Sequence, residues 1–207
     1  MLLNPSSETA SDQVETVDLV RRYARLASLA HLQFPPALPG AFNCAHDVLL
    51  KGILLDPHLH AYPPAPEYQL KFWKWAVQEL EVLLGNEVNL QVLYQAPLHD
   101  LAIVQDSESE IDVRIYDRLM ELIQSTPSSQ SPTKDLTPPS PSYITHYLQL
   151  FPDTPDVIHR VTLLESRTII EQGTTGLKTW PAAHALAEWL GKHPGLVWSF
   201  TSRGQDV

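Results

Sequence analysis

Histidines at positions 58 and 60 stand two apart, with His46 upstream. In an extended segment such a pair projects to one side, as metal ligands do. No third ligand has a persuasive spacing, so ordinary surface histidines are the plainer expectation and no metal ligand is assigned. Cys44, the one cysteine, falls on an expected helix with no adjacent base, the setting of a small buried filler rather than a nucleophile. Glu79 and Glu81 fall on different sides of a helix. Glu108, Glu110 and Asp112 suit a solvated acidic cluster at a helix start better than an acid–base pair. Trp73 and Trp75 flank Lys74. The spacing predicts one indole in the core and one partly exposed, with Trp75 the candidate anchor of any docking surface. Thr126, Ser131, Thr137 and Ser140 each precede a proline and invite phosphorylation, although a solvated loop accounts for them as well. Gly173 and Gly176 bound a bend where backbone can come close to a ligand, shortly before Trp180.

Those residues need elements to hold them. Val14, Val17, Val20, Tyr23, Leu26 and Ala30 recur at helical steps after a capping-box spacing of Asp12 and Glu15. Pro35, Pro36 and Pro39 end that helix. A second helix is expected from an Asn43 cap through Leu54, stopped at Asp56-Pro57. His58 to Pro66 should be extended and stiff. A third helix runs from Glu67 through Phe72, Ala76, Leu80 and Leu84 to a Gly85-Asn86 cap. Residues 88 to 104 fit strand or helix, and a fourth helix covers about 110 to 124. Fourteen of the eighteen residues 125–142 are Ser, Thr or Pro, too few apolar groups to offset ordering entropy, so a disordered linker is expected. Beyond it, Tyr143 to Leu150 and Val157 to Leu163 alternate as strands, and Ile169-Ile170 could end another. A last helix starts near a Thr179 cap, with Pro181 in its first turn and Ala182, Leu186, Trp189 and Leu190 on one face. His193-Pro194 ends it.

The expected organisation is a helical module over 1–124, the linker over 125–142, a mixed region over 143–195 and an atypical tail over 196–207. Fourteen basic against 24 acidic residues give a net charge of −10, which repels phosphate backbones and argues against nucleic acid as a partner. A mean hydropathy of −0.14 and the lack of a long apolar run argue against a membrane span. The start Met1-Leu2-Leu3 soon reaches Pro5 with no basic residue, unlike a secretory signal, so a cytoplasmic location is expected. Eight glycines spell no phosphate-cradling loop.

Val161 to Leu163, Glu165-Ser166, Gly173 to Leu177, Thr179-Trp180, Ala182-Ala183 and Leu186 to Trp189 together closely resemble the segment that enters the catalytic domain of the eukaryotic elongation factor two protein-lysine methyltransferase family. Val48 to Leu50, Ile53-Leu54, Asp56-Pro57, Tyr62 to Pro64, Tyr68 and Phe72 resemble that family's N-terminal helical domain less sharply. The resemblance implies an α+β chain: a helical module, then the entry strands and first helix of a Rossmann-like seven-strand domain, most of it missing. It implies S-adenosyl-methionine as cofactor, Trp180 as a cofactor-binding residue, and a protein substrate, elongation factor two. An indole face suits a sulfonium or a flat adenine through cation–π attraction or stacking. Leu196 to Val207 departs from the family. It supplies no Val-Leu-Glu-Leu-Gly stretch, glycine-rich turn or ribose-binding acid, so a chain truncated before the cofactor loop and inactive alone is expected, with no catalytic residue assigned. The alternative is a non-catalytic protein-binding module or pseudoenzyme fragment.

Overall fold

The computed structural model of the chain describes residues 18–34, 40–95, 110–125, 139–148, 158–168, 178–193 and 195–196, with side chains except those of 87–95. Residues 18–24 are the described part of helix α1. Leu26 ends it in the left-handed region, at a φ of 55°, while the Ala27 N–H reaches back to the Arg22 carbonyl at 3.0 Å, the closure of a Schellman turn. A short 3-10 turn, Leu29–His31, comes next. Helix α2 spans Ala41–Asp47 and passes directly into a π-helical segment, Val48–Leu54. Its cap is Gly40, at a φ of 85° that glycine adopts without strain. Asn43, the expected cap, lies inside the helix.

Asp56 ends one element and starts the next. Its Oδ1 accepts from the His58 and Leu59 N–H groups at 2.7 and 3.1 Å, with Pro57 in the first helical position. This cap nucleates α3, Pro57–Ala61, in place of the extended segment that the prolines suggest; Pro63 and Pro64 lie beyond its end and stiffen only the short connection to the next helix. Helix α4 runs Pro66–Gln95. The Gly85-Asn86 cap expected from sequence is overturned, because the helix continues through both. An interior glycine costs only about 1 kcal/mol against alanine, which a long, packed helix absorbs. Helix α5 is Val113–Ser125.

The helical core is built where α4 meets α2 and α5. Phe42, Leu49, Phe72, Trp73, Ala76, Leu80 and Ile115 are almost completely buried. On α5 the buried stripe is Ile115 and Leu122, while Met120 and Ile123 are exposed.

The stretch expected as a linker, residues 125–142, is described only at its two ends. Ser125 closes α5 and Ser142 opens a strand; residues 126–138 lie outside the described residues, as do residues 12–17, Ile169-Ile170, Gly173 and Gly176. Strand β1, Ser142–Leu148, pairs antiparallel with β2, His159–Glu165, in a register from Ser142↔Glu165 to Leu148↔His159. Thr145 and Thr162 face each other across it, their hydroxyls 2.9 Å apart. Helix α6 is Pro181–Lys192, ended by His193. Trp180, not Thr179, occupies its N-cap, with no side-chain capping bond. The described structure is therefore mixed α and β, with one two-stranded sheet. The chain divides into two compact units, Met1–Pro132 and Thr133–Val207.

Candidate functional site

Within the second unit, Trp180 stands at the start of α6 and leaves 60% of its surface exposed. Its backbone is held on both sides. The Ala183 N–H donates to the Trp180 carbonyl at 2.9 Å, and the Thr179 N–H donates to Glu165 Oε2 at 3.2 Å. Pro181 has no N–H and the Ala183 N–H is already engaged, so this helix start presents fewer donors to an anion than a regular one. The indole face is what the turn offers a ligand.

Behind the turn lies a buried polar cluster that sequence periodicity does not reveal. Glu165 is 4% exposed at the end of β2. Its Oε1 lies 3.6 Å from His146 Nε2 on β1. The His146 ring in turn stands 4.0 Å, centroid to centroid, from that of His184 on α6. The three residues come from three elements, brought together by the hairpin register and the return of α6. Outside it, α6 is only partly covered: none of its residues is buried, Ala187 and Leu190 are half-buried, and Leu186 and Trp189 are 55% and 48% exposed.

The first unit holds a cavity of about 570 Å³, within the range of small-molecule and side-chain pockets. Leu54, Leu59, Pro63 and Trp73 give it an apolar floor, and Arg114, Asp117, Arg118 and Glu121 of α5 line one wall. The guanidinium of Arg118 joins the wall to the floor, donating to Glu121 and to the buried Gln69 at 2.7 Å. Arg114 is engaged by Asp112 at the head of α5, whose carboxylate it holds well below the usual range.

The three histidines do not converge. His46 Nε2 accepts the Asp112 N–H at 3.0 Å, His58 lies against Tyr62, and His60 lines the cavity. A helical turn turns residues two apart to different sides, which removes the shared face an extended segment would have supplied. Among the described residues no group of three or more His, Cys, Asp or Glu is placed to hold a metal ion. Cys44 is half-buried on α2. Trp73 is buried, whereas Trp75 is half-buried, edge-on to Phe34 at 4.9 Å and tilted against Phe72 at 5.7 Å. Glu81 accepts from the Tyr116 hydroxyl. No described helix is long and apolar enough to cross a membrane.

No family model matches the chain. Curated proteins do. The protein-lysine N-methyltransferase EFM3 of Chaetomium thermophilum is 34% identical over 109 residues, 52% of this chain and 31% of the relative. The protein-lysine N-methyltransferase EEF2KMT of Bos taurus is 32% identical over 132 residues, 60% of this chain and 37% of the relative. Part of this chain is homologous to protein-lysine methyltransferases. The human EEF2KMT is 56% identical over a shorter stretch of 43 residues, 21% of this chain and 12% of the relative. The chain thus spans about a third of the length of the first two relatives.

Proposed function

We propose that this chain takes part in S-adenosyl-methionine-dependent methylation of protein lysine, with Trp180 as one wall of the cofactor pocket and the helical unit engaging the protein substrate, elongation factor two. The observation that carries the reading is the identity of 34% and 32% to two protein-lysine methyltransferases. The exposed indole of Trp180 at the head of α6 is chemically suited to the role: a π face attracts a sulfonium and stacks on adenine. When bound, the cofactor supplies an electrophilic methyl group. The chain's own residues contribute binding, through the indole face and the turn that holds it. They include no glycine-rich run to cradle the cofactor, so we expect no methyl transfer by them alone. The Rossmann-like seven-strand architecture belongs to the same proposal, with β1, β2 and α6 as its entry.

Calorimetry of the full chain with S-adenosyl-methionine tests this reading. Micromolar binding that Trp180→Ala weakens by about tenfold supports it, in keeping with one desolvated cation–π contact. Absence of heat in the unaltered chain counts against it.

The helical cavity favours a second reading, a non-catalytic protein-binding module. Its apolar floor beside a mixed-charge wall resembles the buried centre and polar rim of a protein interface. On that reading the chain captures elongation factor two without binding the methyl donor, and Leu59→Arg in the cavity floor abolishes capture. Capture that is indifferent to Leu59→Arg sinks it.

A further inference from the structure

We propose that Glu165 is a positioning residue, whose buried carboxylate seats the turn carrying Trp180 and so sets where the indole lies; its bearing on a cofactor rests on the assignment of Trp180 to the cofactor pocket. Apolar packing holds α6 only partly. None of its residues is buried and Ala187 and Leu190 are half-buried, so the helix is not fixed by a fully covered face. Polar contacts remain. Glu165 Oε2 takes the Thr179 N–H at 3.2 Å, one residue before Trp180. The other carboxylate oxygen, Oε1, lies 3.6 Å from His146 Nε2. His146 carries the contact onward to the His184 ring on α6 itself, 4.0 Å away. One side chain therefore links β2, β1 and the turn before α6.

The choice of residue follows from burial. A carboxylate at 4% exposure persists only where donors meet it, since an ionised carboxylate can accept but not donate. The Thr179 amide is such a donor, and the His146 imidazole is a close neighbour of the other oxygen at 3.6 Å, without a hydrogen bond between them. Glu165 also sits on a firm base. It is the last residue of β2 and is register-paired with Ser142, which is itself buried. A paired strand end thus grips a turn that its own helix anchors only in part, as a positioning shell does for a binding residue.

Amide hydrogen exchange on the full chain reads this directly, without any ligand. Glu165→Ala removes the acceptor and is expected to speed exchange at Thr179 by about tenfold, with the β1 amides unchanged. Glu165→Gln keeps a carbonyl oxygen at the same reach and should stay within about threefold of the unaltered chain. If the Ala variant fails to fold, Glu165→Asp, which withdraws the acceptor by one methylene, should show the same acceleration. Titration with S-adenosyl-methionine should follow the same order, about tenfold weaker for Ala and rescued in Gln. Unchanged exchange at Thr179 in the Ala and Asp variants overturns the proposal, as does acceleration in Gln equal to that in Ala. Should the unaltered chain not bind the methyl donor, the Trp180 reading fails by itself, and the exchange data still decide whether Glu165 holds the turn.

Discussion

Two buried phenols, Tyr23 and Tyr68, govern how the helical unit responds to alkali. Burial pushes both well above the ordinary tyrosine range, and for Tyr23 the nearby Arg118 charge and a Trp73 hydrogen bond offset this only in part. A raised value in the folded state means that folding favours the neutral phenol. This stability is intact below about pH 10, the unfolded value, and drains away as pH climbs toward the folded ones. Phenolate absorbance should therefore show Tyr23 and Tyr68 ionising last, together with unfolding. Tyr68→Phe, which removes the hydroxyl that donates to the Ala27 carbonyl at 3.0 Å, should lower stability by about 1 kcal/mol in urea titration. Asp112 gives the opposite sign. Its carboxylate is held low, chiefly by the Arg114 side chain and then by the Arg114 N–H that it caps. Its contribution is present above the ordinary carboxylate range and is lost only as pH falls through the depressed value. A carbon-detected carboxyl titration should show Asp112 still ionised where other aspartates have protonated, and added salt should narrow the gap because the pair is open to solvent.

Among the elements, those whose ends rest on local chemistry are legible in the sequence. Asp56-Pro57 marks a boundary because a carboxylate caps the next turn and proline suits its first position. Pro181 and His193 bracket α6 for similar reasons. Elements decided by packing are less so. Gly85 carries the signature of a helix stop, yet α4 passes through it to Gln95. The stretch Val48–Leu54 reads as helix in the sequence but not as a π segment, whose wider turn departs from the three- and four-residue rhythm while still burying Leu49, Leu50 and Ile53. The polar cluster is hidden most completely. His146, Glu165 and His184 are far apart in the chain, and only the strand register and the path into α6 make them neighbours. Trp180 itself stands out through family resemblance, not spacing. The apolar side of α6, expected as a stripe, has Leu190 half-buried and Leu186 and Trp189 exposed. Exchanging Leu186 and Trp189 for lysine should raise the solubility limit in polyethylene glycol precipitation and shift the stability of the helical unit by less than about 0.5 kcal/mol. Unaltered solubility would show that this face is not the sticky one.

Across the whole molecule, apolar burial is distributed very unevenly. From Leu19 to Leu122 the first unit supplies a continuous set of buried side chains, whereas among the described residues of the second only Leu148 is both apolar and buried. Fully covering a large apolar side chain is worth about 1.5–3 kcal/mol, so the described residues of the second unit have little to set against their ordering entropy. Urea titration followed by amide exchange should open the Ser142–Leu148 and Pro181–Lys192 amides well before those of α4, and one coincident transition for both units would contradict this. Temperature exposes the same asymmetry differently. The heat-capacity change of unfolding tracks the hydrocarbon surface that water newly meets. The hairpin and α6 have almost none to release, so their stability should vary gently between cold and warm, and a calorimeter scanning the intact chain should register little beyond the melting of the helices that precede them.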